Sequence, residues 1–146
     1  MDEDKLSELG QKIGYVVKGG EVIELIGDVG AGKTTLTKAV ALGMGIMGPI
    51  QSPTFTISNR YVSPSGITLA HYDFYRLNDA GLMKEELGET IADSTTVTVI
   101  EWGDIISDVL PADHLSIRLV PTSETERQVE IVAHGPASEK LKENLL

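Results

Sequence analysis

The 146-residue chain has no cysteine. Disulfides, thiolate zinc sites, iron–sulfur clusters and cysteine nucleophiles are therefore excluded. Aromatic residues are sparse at 5%, and Trp102 is the single tryptophan. Long apolar runs are also missing. The longest, Ala39 to Ile50, has 12 residues and includes Gly43, Gly45 and Gly48, whereas a helix crossing a bilayer needs about 20. Basic residues are few: 12 Lys and Arg stand against 22 Asp and Glu, a net charge of −10. Between Lys84 and Arg118 lie Glu85, Glu86, Glu89, Asp93, Glu101, Asp104, Asp108 and Asp113, with no Lys or Arg among them. Affinity for nucleic acid comes mostly from Lys and Arg neutralising phosphates, so this balance argues against direct, unaided binding to DNA or RNA. The acidic stretch reads as solvated helix and loop faces, with a docking surface for a basic partner protein as the sharper alternative. Asp2, Glu3 and Asp4 carry the wrong charge for a secretory signal, and a cytoplasmic location is expected.

What remains is ordinary globular composition: 41% hydrophobic and 23% charged residues, with a mean hydropathy of 0.00. The length suits one domain spanning 1–146, able to bury roughly 70% of the surface of its unfolded chain. Leu6, Leu9, Ile13, Val16 and Val17 recur at helical spacing, and Gly19-Gly20 stops that helix. Glu21 to Ile26 is a β-branched run of strand length. Lys33 to Leu42 reads as a second helix ending at Gly43. Phe55 to Val62 and Ile67 to Tyr75 read as strands joined by the turn Ser63-Pro64-Ser65-Gly66. Asn78 to Leu87 reads as a helix capped by Asn78 or Asp79 and ended by Gly88. Thr96 to Glu101 is a buried strand, Asp104 to Leu110 a short helix, Leu115 to Val120 and Arg127 to Ala133 further strands, and Ala137 to Leu146 a terminal helix. Strands alternating with helices predict an α/β layered fold of the P-loop NTPase kind, its sheet largely parallel with some antiparallel strands and flanked by helices.

The first strand-to-helix junction reads Gly27-Asp28-Val29-Gly30-Ala31-Gly32-Lys33-Thr34, followed by Thr35. This is the pattern G-x-x-x-x-G-K-T. Glycines permit positive φ and close backbone approach, so that amide N–H groups can wrap phosphate oxygens. The helix N-terminus adds the positive end of its dipole. Lys33 can reach the β- and γ-phosphates, and the Thr34 hydroxyl can bind Mg²⁺. A chance match in a chain this long is on the order of one in a few hundred, and here the motif also falls between a strand and a helix, as its chemistry requires.

A phosphate loop needs a carboxylate at a neighbouring strand end, to hold the metal or orient an attacking water. Glu101 follows the buried pattern Val97, Val99, Ile100, at the carboxyl end where ligands of open α/β sheets sit. Asp73 is the second candidate. Period two places His71, Asp73 and Tyr75 on one face of their strand, and Tyr72 and Phe74 on the other. Trp102 directly follows Glu101 and is either a core anchor or a cover over the phosphates. Thr54, in the loop Ser52-Pro53-Thr54, is either a turn residue or a reporter of the γ-phosphate through Mg²⁺.

Several absences narrow the choice. The Asn-Lys-x-Asp element that reads guanine is missing. Arg60, Arg76, Arg118 and Arg127 are the only arginines; none forms the cluster of a small-molecule kinase lid, and none is evident beside the P-loop. An isolated domain of this kind should hydrolyse ATP slowly and be completed by a partner, since the missing charge is worth about 10³ or more in rate.

These residues resemble a family. Gly27 to Thr35, Ser52-Pro-Thr-Phe-Thr56, His71-Tyr-Asp-Phe-Tyr-Arg76 and Glu101-Trp102 occur in the order and spacing of bacterial TsaE, over about Leu6 to Gly135. The resemblance implies a Mg²⁺-dependent P-loop ATPase of tRNA threonylcarbamoyladenosine biosynthesis that docks on a TsaB–TsaD pair and meets tRNA only through those partners. It further implies that Asp28, Val29, Gly30, Ala31, Gly32, Lys33, Thr34 and Thr35 bind ATP. Asp73 and Glu101 would lie on the metal side with Thr34, Thr54 would be the switch residue, and Trp102 would be needed for turnover. Lys5 and Leu6 occupy the stretch where many members have a threonine near the nucleotide, Val29 replaces a common leucine, and Gly103-Asp104 replaces the usual continuation after the tryptophan. Arg127 matches an arginine common in the family and reads equally as a strand-edge surface charge. A small-molecule kinase and a nucleotide-gated binding module without required hydrolysis are the alternatives.

Overall fold

A computed structural model describes residues 1–28, 31–47, 58–74, 83–101 and 110–145. These form α1 (Glu3–Val16), β1 (Val22–Ile26), α2 (Lys33–Gly43), β2 (Ser58–Val62), β3 (Thr68–Asp73), α3 (Met83–Ala92), β4 (Thr96–Glu101), β5 (Leu115–Pro121), β6 (Arg127–Ala133) and α4 (Pro136–Glu143). The strands make one six-stranded sheet in the order β2-β3-β4-β1-β5-β6. The inner pairs β3·β4, β4·β1 and β1·β5 are parallel. Both edge pairs, β2·β3 and β5·β6, are antiparallel. The expected sheet, largely parallel with antiparallel strands and flanked by helices, is the one observed.

Strands β1, β3 and β4 are buried on both faces, as parallel strands covered on both sides must be, and most of their buried residues are apolar. Ile23, Leu25, Leu69, Val97, Val99, Leu115 and Ile117 join Leu6, Ile13, Leu36 and Val40 of α1 and α2 in the larger core. On the opposite face Val22, Ala70, Tyr72, Phe74 and Ile100 pack with Leu87 of α3. The alternation expected along β3 is thus met: Leu69 lies in the first core, and Tyr72 and Phe74 lie in the second.

Asp2 caps α1, its carboxylate accepting the Lys5 amide at 2.9 Å. Helices α1 and α2 cross with their backbones nearly touching. A Cβ at Gly14 would collide with the Val40 carbonyl, and one at Gly43 with the Gln11 carbonyl. That close crossing anchors α2, the helix that starts at Lys33.

Two helix boundaries depart from expectation: α4 ends at Glu143, with Asn144 as its C-cap, where the terminal helix was expected to reach Leu146, and α3 runs longer. The structure carries α3 through Gly88 to Ala92, where the sequence reading ended it at Gly88. Gly within a helix costs about 1 kcal/mol, but the next turn is secured by tertiary contacts. Leu87 and Ile91 share one face on the second core. Thr90 donates its hydroxyl to the Glu86 carbonyl at 3.1 Å, lies 2.8 Å from the Tyr72 hydroxyl and accepts from Arg60 at 2.6 Å. The proposed caps Asn78 and Asp79 lie outside the described residues, as do 104–109 of the short helix expected before Pro111.

Candidate nucleotide site

Parallel register brings three strand ends into line. Asp73 is paired with Glu101, and Glu101 with Leu25, one residue before the end of β1. The first described residues beyond β1 are Gly27 and Asp28, and the chain re-enters at Ala31 and Gly32 before α2. The Ala31 amide donates to the Asp28 carbonyl at 3.0 Å, closing the turn. Gly32 has φ +107°, the left-handed region where side chains are strained, and a Cβ there would also lie 2.9 Å from Leu6 Cδ2. Dihedral and space therefore both demand glycine at this position. Val29 and Gly30 lie outside the described residues.

Lys33 opens α2 and is 5% exposed. Its Nζ donates to the Gly27 carbonyl at 2.7 Å and stands 3.9 Å from Glu101 Oε1. Burial pushes the Lys33 ammonium below the ordinary lysine range, while the charges of Glu101, Asp73 and Asp28, in that order, pull it back up. The lysine is thus a cation at the loop's base, partly stripped of water and surrounded by acids.

Glu101, 3% exposed, has its two oxygens in different surroundings. Oε1 faces Lys33, and Oε2 lies 2.5 Å from Nε2 of the fully buried His71. Asp73 is half-buried at the end of β3. Thr34 and Thr35 are half-buried on the first turn of α2, and Asp28 is exposed. Thr54 and Trp102 lie outside the described residues, with Ser52 to Thr56, Tyr75 and Arg76.

Arg127 corrects the expectation that no arginine lies beside the P-loop. It opens β6 at the sheet edge, yet a Cβ at Gly32 would sit 3.3 Å from its Nε and 3.4 Å from its Cζ. Nε and Nη1 are buried without a hydrogen-bond partner among the described residues. The chain start fixes this placement: the Met1 amine donates to the Arg127 carbonyl at 2.8 Å, and the Arg127 amide to the Met1 carbonyl at 2.9 Å. A lone arginine after a run of Ser, Glu and Thr carries no local sign of this, because the contact depends on β6 lying two strands from β1. Leu6 is fully buried against the same glycine and belongs to the core.

Sequence reasoning also passed over a groove of about 240 Å³ on the face of β1, β5 and β6, where Glu24, His114, Ser116, Arg118, Glu130 and His134 stand beside Ile26 and Val132. Ser116 donates to Glu24 at 3.2 Å, so the 3.0 Å contact from His134 Nε2 to Ser116 requires the imidazole to donate. Period-two polarity along β5 and β6 is the signal that could have found it.

The buried lysine and the two carboxylates at adjoining strand ends thus sit on a mixed α/β fold, a six-stranded sheet flanked by helices. Over residues 1–129 the chain matches the family described as threonylcarbamoyl adenosine biosynthesis protein TsaE. It is 39% identical to the tRNA threonylcarbamoyladenosine biosynthesis protein TsaE of Bacillus subtilis, covering 88% of this chain and 79% of that one. It is 37% identical to the Mycobacterium bovis protein of that name, covering 91% and 83%. The crystal structure of Bacillus subtilis YdiB superposes with a TM-score of 0.80 at 30% identity, covering 99% of this chain and 89% of the other. The chain belongs to the TsaE family of tRNA threonylcarbamoyladenosine biosynthesis. Among the described residues no helix is long and apolar enough to cross a membrane.

Proposed function

We propose that residues 1–146 act as one Mg²⁺-dependent ATPase domain in the cytoplasm, supporting threonylcarbamoyladenosine formation in tRNA through TsaB- and TsaD-type partners. The observation carrying this reading is Lys33, buried at the foot of a glycine-bent loop and facing Glu101.

The residues fit the nucleotide. The Arg127 nitrogens with unspent hydrogen-bond capacity beside Gly32 suit an anionic ligand. They also fit the metal. The Thr34 hydroxyl and the carboxylates of Asp73 and Glu101 are hard oxygen donors. Among the described residues no group of three or more His, Asp or Glu could hold an ion unaided. Mg²⁺ matches such a site, because it is typically bound by one or two carboxylates together with substrate phosphates. In this reading residues 28–35 bind ATP, Thr54 senses the γ-phosphate, and Trp102 serves turnover. Bound Mg²⁺ would neutralise charge developing on the phosphates. Lys33 neutralises phosphate charge from the opposite side, Glu101 orients water or metal, and Arg127 adds a second cation to the loop.

The surplus of acid over base supports leaving the RNA to partners. Phosphate release should be low for the isolated chain and rise with a saturating TsaB–TsaD pair; no rise would reject the reading. A nucleotide-gated module is the other possibility. It would be favoured if Glu101→Gln, unable to hydrolyse, still sustained many rounds of modification.

A further inference from the structure

We propose that His71 is the positioning residue for Glu101, holding Oε2 so that Oε1 is presented to Lys33 and the phosphate site. The proposal rests on the nucleotide reading above.

His71 and Glu101 are 0% and 3% exposed, at the end of a sheet face that is otherwise apolar. Burying an imidazole and a carboxylate there is costly unless they satisfy one another, and their 2.5 Å contact does so. Register makes the contact possible. His71 pairs with Val99 and Asp73 with Glu101, so the imidazole lies diagonally beneath the glutamate on the same face.

No other described group holds the carboxylate so closely. Lys33 stands beyond hydrogen-bond distance at 3.9 Å and is itself bonded to the Gly27 carbonyl. Nδ1 of His71 is buried without a partner among the described residues. A carboxylate oxygen can only accept, so the proton of the contact lies on Nε2 and is donated to Glu101. Without this donor the carboxylate is free to turn out of this orientation, and its charge is no longer presented to the Mg²⁺ of a Mg²⁺–nucleotide ligand, while Lys33, bonded to the Gly27 carbonyl, keeps its place.

The test uses two amides that imitate opposite nitrogens. Gln at 71 places its NH₂ near the imidazole Nε2, whereas Asn places its own near Nδ1 and cannot reach Glu101. Affinity for ADP is measured by calorimetry on the full chain, with Mg²⁺ and with chelator, for wild type, His71→Gln, His71→Asn and His71→Leu. In chelator all four should agree within about threefold. The gain in affinity on adding Mg²⁺ should survive in His71→Gln and fall about tenfold in the other two, with kcat falling more than KM. Equal behaviour of Gln and Asn overturns the proposal, as does an unchanged Mg²⁺ gain in folded His71→Leu. If wild type binds no ADP under either condition, the nucleotide reading itself fails. A measurement on wild type alone covers variants that do not fold. Long-range ¹H–¹⁵N spectra should show a proton on His71 Nε2; an Nε2 without one overturns the assignment.

Discussion

Asp73 and Glu101 stand opposite one another in the parallel register of β3 and β4, at the last residue of each strand. Side chains opposed in this way point to one face of the sheet. Here that face carries Lys33, and both carboxylates act on its ammonium. The site is therefore a property of strand ends, with the loop after β1 supplying the cation.

Lys33→Met should weaken ATP binding by about 100-fold or more, since charged hydrogen bonds to phosphate are each worth about 1.5–3 kcal/mol. The free protein should not lose stability in proportion, because the substitution also removes a cation that burial disfavours. Calorimetric titration beside a thermal melt separates the two effects.

Glu101→Gln should keep nucleotide affinity measured in chelator within a few-fold and lower phosphate release by about 100-fold, because the charge next to the reacting phosphate is lost while the shape remains. Equilibrium binding and single-turnover hydrolysis on the same preparation would check this.

Gly32→Ala meets two penalties. A left-handed backbone costs a non-glycine residue about 1–2 kcal/mol, and the new Cβ would press on Leu6 Cδ2 at 2.9 Å. The thermal midpoint should fall by about 5 °C, and nucleotide binding should weaken. Gly66, in the turn before β3 at the opposite end of the sheet, has φ +91° but open space around it, so Gly66→Ala should cost stability alone.

Arg127→Ala removes the guanidinium whose Nε and Nη1 find no described partner. The midpoint of the free protein should move little, while the stabilisation produced by ATP and Mg²⁺ should shrink, corresponding to about tenfold weaker binding. Thermal shift across a nucleotide titration reads both.

Asp113 caps α4 from outside the helix, accepting the Ala137 amide at 2.9 Å and the Ser138 amide at 3.0 Å. These bonds, with the Ser138 side chain foremost, hold its carboxyl below the ordinary aspartate range. A carboxyl lowered in the folded state contributes stability that is complete above its unfolded pKa of about 3.9 and is lost as pH falls through the lower folded value. Asp113→Ala should cost about 1 kcal/mol at neutral pH. The gap from wild type should close as pH drops below about 4, which melts across an acid series would show.

Much of the fold was legible locally. β4 was read at its observed bounds, Thr96 to Glu101, because a short β-branched run ending in an acid has few alternatives. α3 was read too short, since Gly88 is a stop signal only where no tertiary contact secures the following turn, and Thr90 and Ile91 supply that contact. His71 was placed on the correct face without a role, because its partner lies on another strand. Gly135 offers no capping side chain, and nothing near it in sequence announces that Asp113 fills the place; a Cβ on Gly135 would lie 2.5 Å from the Asp113 Cγ.

The strand-to-helix junction could be read from contiguous residues because its requirements are local: positive φ at Gly32 and a lysine at the first helical position are satisfied within a few bonds. The His71–Glu101 contact and the seat of Arg127 against Gly32 were decided only on folding. Each joins residues far apart in the chain, brought together by strand order and register. Those are set by which apolar faces can be buried together, a property of the whole sheet that no short stretch of sequence contains.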